Sequence, residues 1–533
     1  MSVTEAKETE RGSSGGEASD SDGDRSISKS DRRIVTVALL LAMAVAALEQ
    51  TVVSTAMTSI IAQLKGIRIY PWVFSAYLLA STISTPIYGK LADLIGRRRV
   101  LLFGLLMFSV GSMLSGLSRS MPQLIAFRVI QGLGAGALGP IVLTIISDLY
   151  PLHERPKVQG LFSAIWGVSS VVGPLVGGVL TDQLSWRWVF FLTVPFSAFS
   201  AWILVRRVSE VSQPKGGVSL DWRGAMLLAS GSAALLWVVL SGRDQPIGVI
   251  AVVFGFAVAL FYLFIKHERS ASDPILPIEL ATEPAIAAAL VGNFLVGCLL
   301  FGLEVYVPLF MQGVKGGSAT IAGGSMTPLF LTWSVSVAVA AFVVVRYGFR
   351  KSAAVGTLFL VVGTFLLYAG SVWSGSYRVC FLFGMIAIGL GMGPTSLSYL
   401  LSVQNAVPWN RRGAATGALI FSRTMGGSIG VGLLGASLGF ELAARLKGDL
   451  ARGIDVAAAL RPETHRLLGG AALKLVQESL GWSLQHVFLE MFVLTVAGIA
   501  CVYRLPGGKP TSYGATERAE IDEGAAIAVA EAV

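Results

Sequence analysis

A run of about 20 apolar residues is enough to carry a helix across the ~30 Å hydrocarbon core of a bilayer, and this chain offers one such run after another. Bounded by charge, Pro or Gly, they lie near 34–61, 71–94, 100–118, 122–147, 158–182, 188–205, 222–241, 247–265, 285–311, 321–345, 353–373, 377–403, 413–437 and 486–503. Backbone polar groups cannot go unpaired in hydrocarbon, so runs of this length without strict alternation are read as helices. The expected fold is therefore an all-α membrane protein of fourteen transmembrane helices. Only 14% of the residues are charged and the mean hydropathy is +0.70, which excludes an ordinary soluble domain.

The net charge of +9 raises nucleic acid as a partner until the basic residues are placed. With the N-terminus inside, Arg32 and Arg33, Arg97 to Arg99, Arg155 and Lys157, Arg206 and Arg207, Lys266 and Arg269, Arg350 and Lys351, and Arg411 and Arg412 all fall on the cytoplasmic side. This positive-inside pattern puts both termini in the cytoplasm and leaves no surplus that calls for nucleic acid. Residues 1–30 read as a disordered acidic, Ser/Gly-rich tail with no signal peptide ahead of the first span, and 505–533 as a second tail. The outer segment 438–485 has apolar residues at helical spacing, so it either lies on the membrane or extends the last two spans. Cys298, Cys380 and Cys501 sit in apolar runs with no clustered histidines, so neither a disulfide framework nor a metal site is expected.

Charge inside a span is costly, which makes intramembrane ionisable residues the functional candidates. Glu49 lies in the first span, roughly 22 Å from its cytoplasmic end, and Arg128 in the fourth, roughly 9 Å from the outer surface. The two are thus at about the same depth, as a direct ion pair or across a shared wet cavity. Glu304 lies in the outer part of the ninth span and Arg423 near the middle of the thirteenth, where a structural pairing is its first reading. Asp93, Asp148 and Glu490 are expected near span ends, as capping or interfacial groups.

The stretch RVIQGLGAGALGP, 128–140, contains a G-x-G-x-x-G at Gly134, Gly136 and Gly139, with Glu154 twenty residues beyond the first. A dinucleotide site needs a strand before such glycines and a βαβ unit around them, whereas both flanks here are apolar spans. On a helix Arg128, Gly132, Ala135, Gly136 and Gly139 share one stripe, and the glycines are read as places where another helix comes close. No G-x-x-x-x-G-K-[ST] loop is present, so ATP is not the energy source.

Several stretches resemble a known family. GKLADLIGRRRVLL (89–102) is similar to the G-x-L-a-D-r-x-G-r-k loop of major facilitator superfamily transporters, RVIQGLGAGA to their R-x-x-Q-G-x-G-a-a motif, and GVSSVVGPLVGG (167–178) to the G-P-x-x-G-G motif of antiporters. LEQTVVSTAMTSI resembles the first-span signature of the fourteen-helix drug:proton antiporter group. Glu49 stands there for the commoner Asp, and Thr58 for the usual Pro. In the second half RYGFRK (346–351) lacks the acidic residue of the loop motif.

The resemblance implies two six-helix bundles, residues 31–207 and 271–504, with two inserted helices in 208–270. It implies a proton-coupled exporter of lipophilic or cationic small molecules at the cell membrane, working as a monomer without cofactor or metal, and no enzyme. Glu49 and Arg128 would be the proton-coupling pair, with Glu304, Gln131 and Arg423 along the substrate pathway. Gly89, Asp93, Gly96, Arg97 and Arg98 would form a conformational latch, Asp93 meeting the N-terminal end of the thirteenth span. Gly167, Gly173, Pro174, Gly177 and Gly178 would be the antiporter packing motif. A lipid, siderophore or amino-acid carrier on the same fold is the alternative, with a non-transporting receptor or scaffold behind it.

Overall fold

The apolar runs become helices, joined where the chain carries Gly, Pro or charge. A computed structural model describes residues 29–67, 69–150, 155–207, 221–241, 245–271, 274, 279, 282–407, 412–445 and 470–508. The first set of helices is α1 (Lys29–Leu64), α2 (Pro71–Ile95), α3 (Arg97–Leu117), α4 (Met121–Leu149), α5 (Arg155–Gln183), α6 (Arg187–Phe191) and α7 (Thr193–Arg207). Next come α8 (Trp222–Ser241) and α9 (Ile247–Glu268). The second set is α10 (Pro284–Leu309), continued by a π-helical turn at Phe310–Val314, then α11 (Ala319–Tyr347), α12 (Phe349–Val372), α13 (Tyr377–Asn405), α14 (Arg412–Arg445) and α15 (Gly470–Tyr503). Among the described residues there is no strand.

Among the described residues, twelve helical segments are long and apolar enough to cross a membrane. Helices α2 and α5 also match expected spans but fall outside that set. Hydroxyls explain this for α2, which carries Ser75, Ser81, Thr82, Ser84 and Thr85. The sixth expected span is two helices meeting at Leu192. Segment 438–485 resolves toward helix extension: α14 runs on to Arg445 and α15 begins at Gly470, with 446–469 outside the described residues. One expectation falls with this. Glu490 is not near a span end but deep within α15, where its carboxylate accepts from Ser437 on α14. The apolar run begins late in this helix because Lys474, Gln477 and Glu478 interrupt the run without breaking the helix.

The two sets repeat one pattern. In the first, α2 and α3 are joined by a single residue, Gly96, at φ 101°; in the second, α11 and α12 are joined by Gly348 at φ 87°. Only glycine adopts that backbone without strain, so each joint is a one-residue reversal between long helices. Helix α1 packs on α5 as α10 packs on α14, and α2 on α4 as α11 on α13. Large apolar side chains such as Phe342, Val252 and Tyr262 point outward, as they can where the surroundings are lipid.

Helix α8 closes the seam between α2 and α14. Leu228 and Leu236 pack with Leu79, Ile83 and Met425, and the Ser232 hydroxyl lies 3.9 Å from the Met425 sulfur. Helix α9 packs on α8 and is little buried. Among the described residues, the other hydrogen bonds joining the two sets fall in the half of the molecule away from the chain termini. Ser75 and Ser428 exchange hydroxyl-to-carbonyl bonds of 2.9 Å each, and Gln312 reaches α1.

Candidate functional site

Helix α4 approaches α2 so closely that a Cβ at Gly132 would collide with the Tyr77 carbonyl, and one at Gly136 with Ser84 and the Ser81 carbonyl. Gly134 faces the other way, against Phe108 on α3. The glycines therefore admit α2 and α3, while among the described residues nothing lies within 4 Å of a Cβ at Gly139. This approach sets Arg128 beside α2. Its guanidinium lies 4.0 Å from the centre of the Tyr77 ring, and Nε donates to the Val73 carbonyl at 3.2 Å.

Glu49 on α1 completes the site. Arg128 Nη1 donates to the Glu49 carboxylate in an ion pair and to Gln131 Oε1 at 2.8 Å. Glu49 and Gln131 are 0% exposed and Arg128 is 1% exposed, so the pair is dry. Charges removed from water carry a desolvation penalty of several kcal/mol each, which their attraction offsets only in good geometry. Glu49 Oε2 and Gln131 Nε2 have no hydrogen-bond partner among the described residues. An acceptor and a donor therefore remain beside the ion pair, fit to exchange a proton or hold a polar group.

Glu304, on α10, is 6% exposed and makes no ion pair among the described residues. Arg423 on α14 is half-buried and close enough for the two charges to interact. The backbones of α10 and α14 meet through glycines: Gly297 faces the Arg423 carbonyl and Gly426 the Phe294 carbonyl. Asn293 and Tyr306 then donate across to Leu419 and Val431 at 2.7 and 2.6 Å. Each set thus has a buried carboxylate on its first helix, and only the first is neutralised by direct contact.

In the stretch 167–178, Gly173 and Gly177 face Thr51, Thr55 and Val52 on α1. Gly178 faces the other way, where a Cβ would sit 2.5 Å from Thr320 Cα on α11, and Gly323 of α11 abuts the Pro174 carbonyl in return. Gly167 faces Ser334, also on α11. Helix α5 is thus a glycine-faced wedge between its own set and the other.

Of the latch residues, Gly96 forms the α2–α3 joint and Arg98 donates to the Val205 carbonyl at 2.6 Å, tying the joint to the end of α7. Arg97 is half-buried. Nothing among the described residues lies within 4 Å of a Cβ at Gly89, nor at Gly417 on α14. The side chain of Asp93 lies outside the described residues. The three cysteines are free, and no group of metal-binding residues occurs among the described ones.

Sequence reasoning missed the neutral partners. Tyr77 stacks on Arg128, Gln312 bonds to α1, and Asp182 at the end of α5 caps α11. The Asp182 carboxylate accepts from Ala319 N and Thr320 N at 3.0 Å each and from the Thr320 hydroxyl at 2.7 Å. A search for charge within spans passes over an amide, a phenol and a residue at a span boundary.

Fold and site together define a multi-pass membrane transporter. Residues 39–431 match the Major Facilitator Superfamily, and the chain belongs to that family. It is 35% identical over 407 residues to "Multidrug resistance protein 3" of Bacillus subtilis, covering 76% of this chain and 79% of that one. It is also 35% identical over 411 residues to "Multidrug transporter protein MdtP" of the same organism, 76% and 75% covered. "Efflux pump dotC" of Dothistroma septosporum is 31% identical over 411 residues, 75% and 70% covered. Among solved structures, a bacterial homolog of the human lysosomal transporter Spinster superposes with a TM-score of 0.65 at 17% identity, covering 90% of this chain and 98% of that one. Likeness at that identity concerns the fold.

Proposed function

We propose that this protein is a proton-coupled exporter of lipophilic, often cationic, small molecules, working by alternating access at the cell membrane with both termini cytoplasmic. The relatives named for multidrug resistance and efflux support the cargo class. The dry Glu49–Arg128 ion pair carries the coupling. A proton on Glu49 cancels the carboxylate charge and frees Arg128 to hold only Gln131, the Val73 carbonyl and the Tyr77 ring. The attraction of α4 for α1 then falls, and the preferred arrangement of the first bundle changes with it. Loss of the proton restores the pair, so the gradient biases one arrangement over the other.

Glu304, which makes no ion pair among the described residues, is suited to face a cargo's positive charge, with Arg423 and Gln131 along the same pathway. The latch residues Gly89, Asp93, Gly96, Arg97 and Arg98 would join α2 to the start of α14 when the cytoplasmic side closes. The space around Gly89 and Gly417, clear among the described residues, suits a state in which that side is apart. The functional units would be 31–207, 208–270 and 271–504, working as one monomer with small molecule and proton as its only ligands and no cofactor.

Glu49→Gln is the test. In proteoliposomes with an imposed pH gradient, the folded variant should lose gradient-driven efflux of a lipophilic fluorescent cation. Undiminished flux would overturn the coupling assignment.

A further inference from the structure

Helix α10 changes character between its carboxylate and its outer end. Pro308 cannot donate to the Glu304 carbonyl one turn back, and the chain then loosens into the π-helical turn Phe310–Val314. Such turns interrupt the regular ladder and tend to occur at functional positions. Gln312, 8% exposed, is carried on this turn.

Its amide spans the gap to the other half of the molecule. Nε2 donates to the Thr55 carbonyl of α1 at 3.0 Å, and Oε1 accepts from the Thr58 hydroxyl. Both threonines are buried, so all three side chains are dry. Thr58 stands about two and a half turns beyond Glu49, and Gln312 about two turns beyond Glu304. The contact therefore ties together the two helices that carry the buried carboxylates, on the side away from the termini. A hydroxyl at 58 is needed for it, and proline or an aliphatic residue there would supply none.

We infer that Gln312, with Thr55 and Thr58, is the polar clasp that holds the outer gate shut, and that the π-helical turn after Pro308 is the hinge on which it opens. Both amide atoms are satisfied across the seam only when the gate is closed. On opening, donor and acceptor pass to water or to a passing cargo, so the clasp releases without leaving a buried polar atom unpaired. Gln312 is a positioning residue, acting through the separation of α1 and α10 rather than on the proton. The outer α5–α11 seam, held by Asp182 on the α11 N-terminus, lies beside it and must part in the same motion.

The inference rests on the alternating-access reading above, and its test needs neither cargo nor gradient. Nitroxide labels at Leu184 and Ile321, both exposed at the outer ends of α5 and α11, report the outer gate. Labels at Ile95 and Tyr347, exposed at the opposite ends of α2 and α11, report the other side. Electron–electron distances would be measured on the full chain in lipid nanodiscs. Each net hydrogen bond is worth roughly a five-fold change in an equilibrium, so Thr58→Val should raise the outward-open population about five-fold and Gln312→Leu more. The outer distance lengthens and the inner one shortens, while Thr58→Ser keeps the original distribution. A purely structural role predicts broadening at both ends without this opposed shift. Unchanged distances, or broadening alone, in folded Thr58→Val and Gln312→Leu would overturn the clasp. Loss of flux in Glu49→Gln tests the proton coupling independently.

Discussion

Arg128→Met separates an ion pair from the cost of keeping it. Methionine fills much of the arginine's volume and removes the charge, leaving Glu49 enclosed with its carboxylate unpartnered and Gln131 without its donor. Removing one member of a buried pair costs about 3–5 kcal/mol, because an uncompensated charge is left behind. Loss of the guanidinium over Tyr77, 4.0 Å from the ring centre, adds about 0.5–2 kcal/mol. Glu49→Gln likewise leaves the guanidinium without its counter-charge, but the amide oxygen still accepts from Nη1 and Arg128 keeps the Val73 carbonyl, so the loss falls toward the lower end of the range for removing one member of the pair. In Glu49→Gln with Arg128→Met no charge is left buried, and the double variant should recover about 1–4 kcal/mol relative to Arg128→Met alone. Denaturant unfolding of the four purified proteins in one detergent, followed by tryptophan fluorescence, gives the cycle. Additivity within about 0.5 kcal/mol would refute the reasoning, since the residues would then not be a coupled, desolvated pair.

Two further outcomes follow from contacts outside that pair. Gly323→Ala would drive a Cβ into the Pro174 carbonyl, a backbone atom that cannot turn aside, so the α5–α11 seam should part at a cost of about 1–3 kcal/mol; labels at Leu184 and Ile321 would show a longer outer distance, and an unchanged one would mean the seam adapts. Burial works to raise the pKa of Asp221 at the start of α8, but the Gly224 N–H at 2.8 Å and His267 at 2.7 Å outweigh it and hold the carboxyl below its usual value. A lowered folded pKa contributes stability that is present above the unfolded value of about 3.9 and lost as pH falls through the folded one. The advantage of the parent over Asp221→Asn in thermal unfolding should therefore shrink as pH falls below about 4, and an advantage independent of pH would dismiss the contact as a source of stability.

The helices were legible because apolar runs and the charges between them obey rules that ignore tertiary detail. Length selects the helix, and Gly96 and Gly348 mark joints that only glycine makes without strain. Where an element's neighbours are protein rather than lipid, those rules weaken. Helix α2 carries five serines and threonines because its faces meet α4 and α14, and the start of α15 carries charge in a helix that simply runs on.

The site divides along the same line. Glu49 and Arg128 could be placed at one depth because charge in hydrocarbon is rare and helix rise converts sequence distance to height. Depth does not give azimuth. That Arg128 turns toward Tyr77 and Val73 depends on Gly132 and Gly136 letting α2 in, a packing fact with no one-dimensional signature beyond the glycine stripe itself. Gln312 is harder still. An amide costs little in a span and so carries no alarm, and its meaning arises from Thr55 and Thr58, some 250 residues away along the chain. Charged pairs within a bundle leave a mark in the sequence because each member is anomalous alone. Neutral contacts between bundles leave none, because each member is ordinary until the other half of the molecule arrives, and that is the property a gate requires if it is to open without stranding a charge.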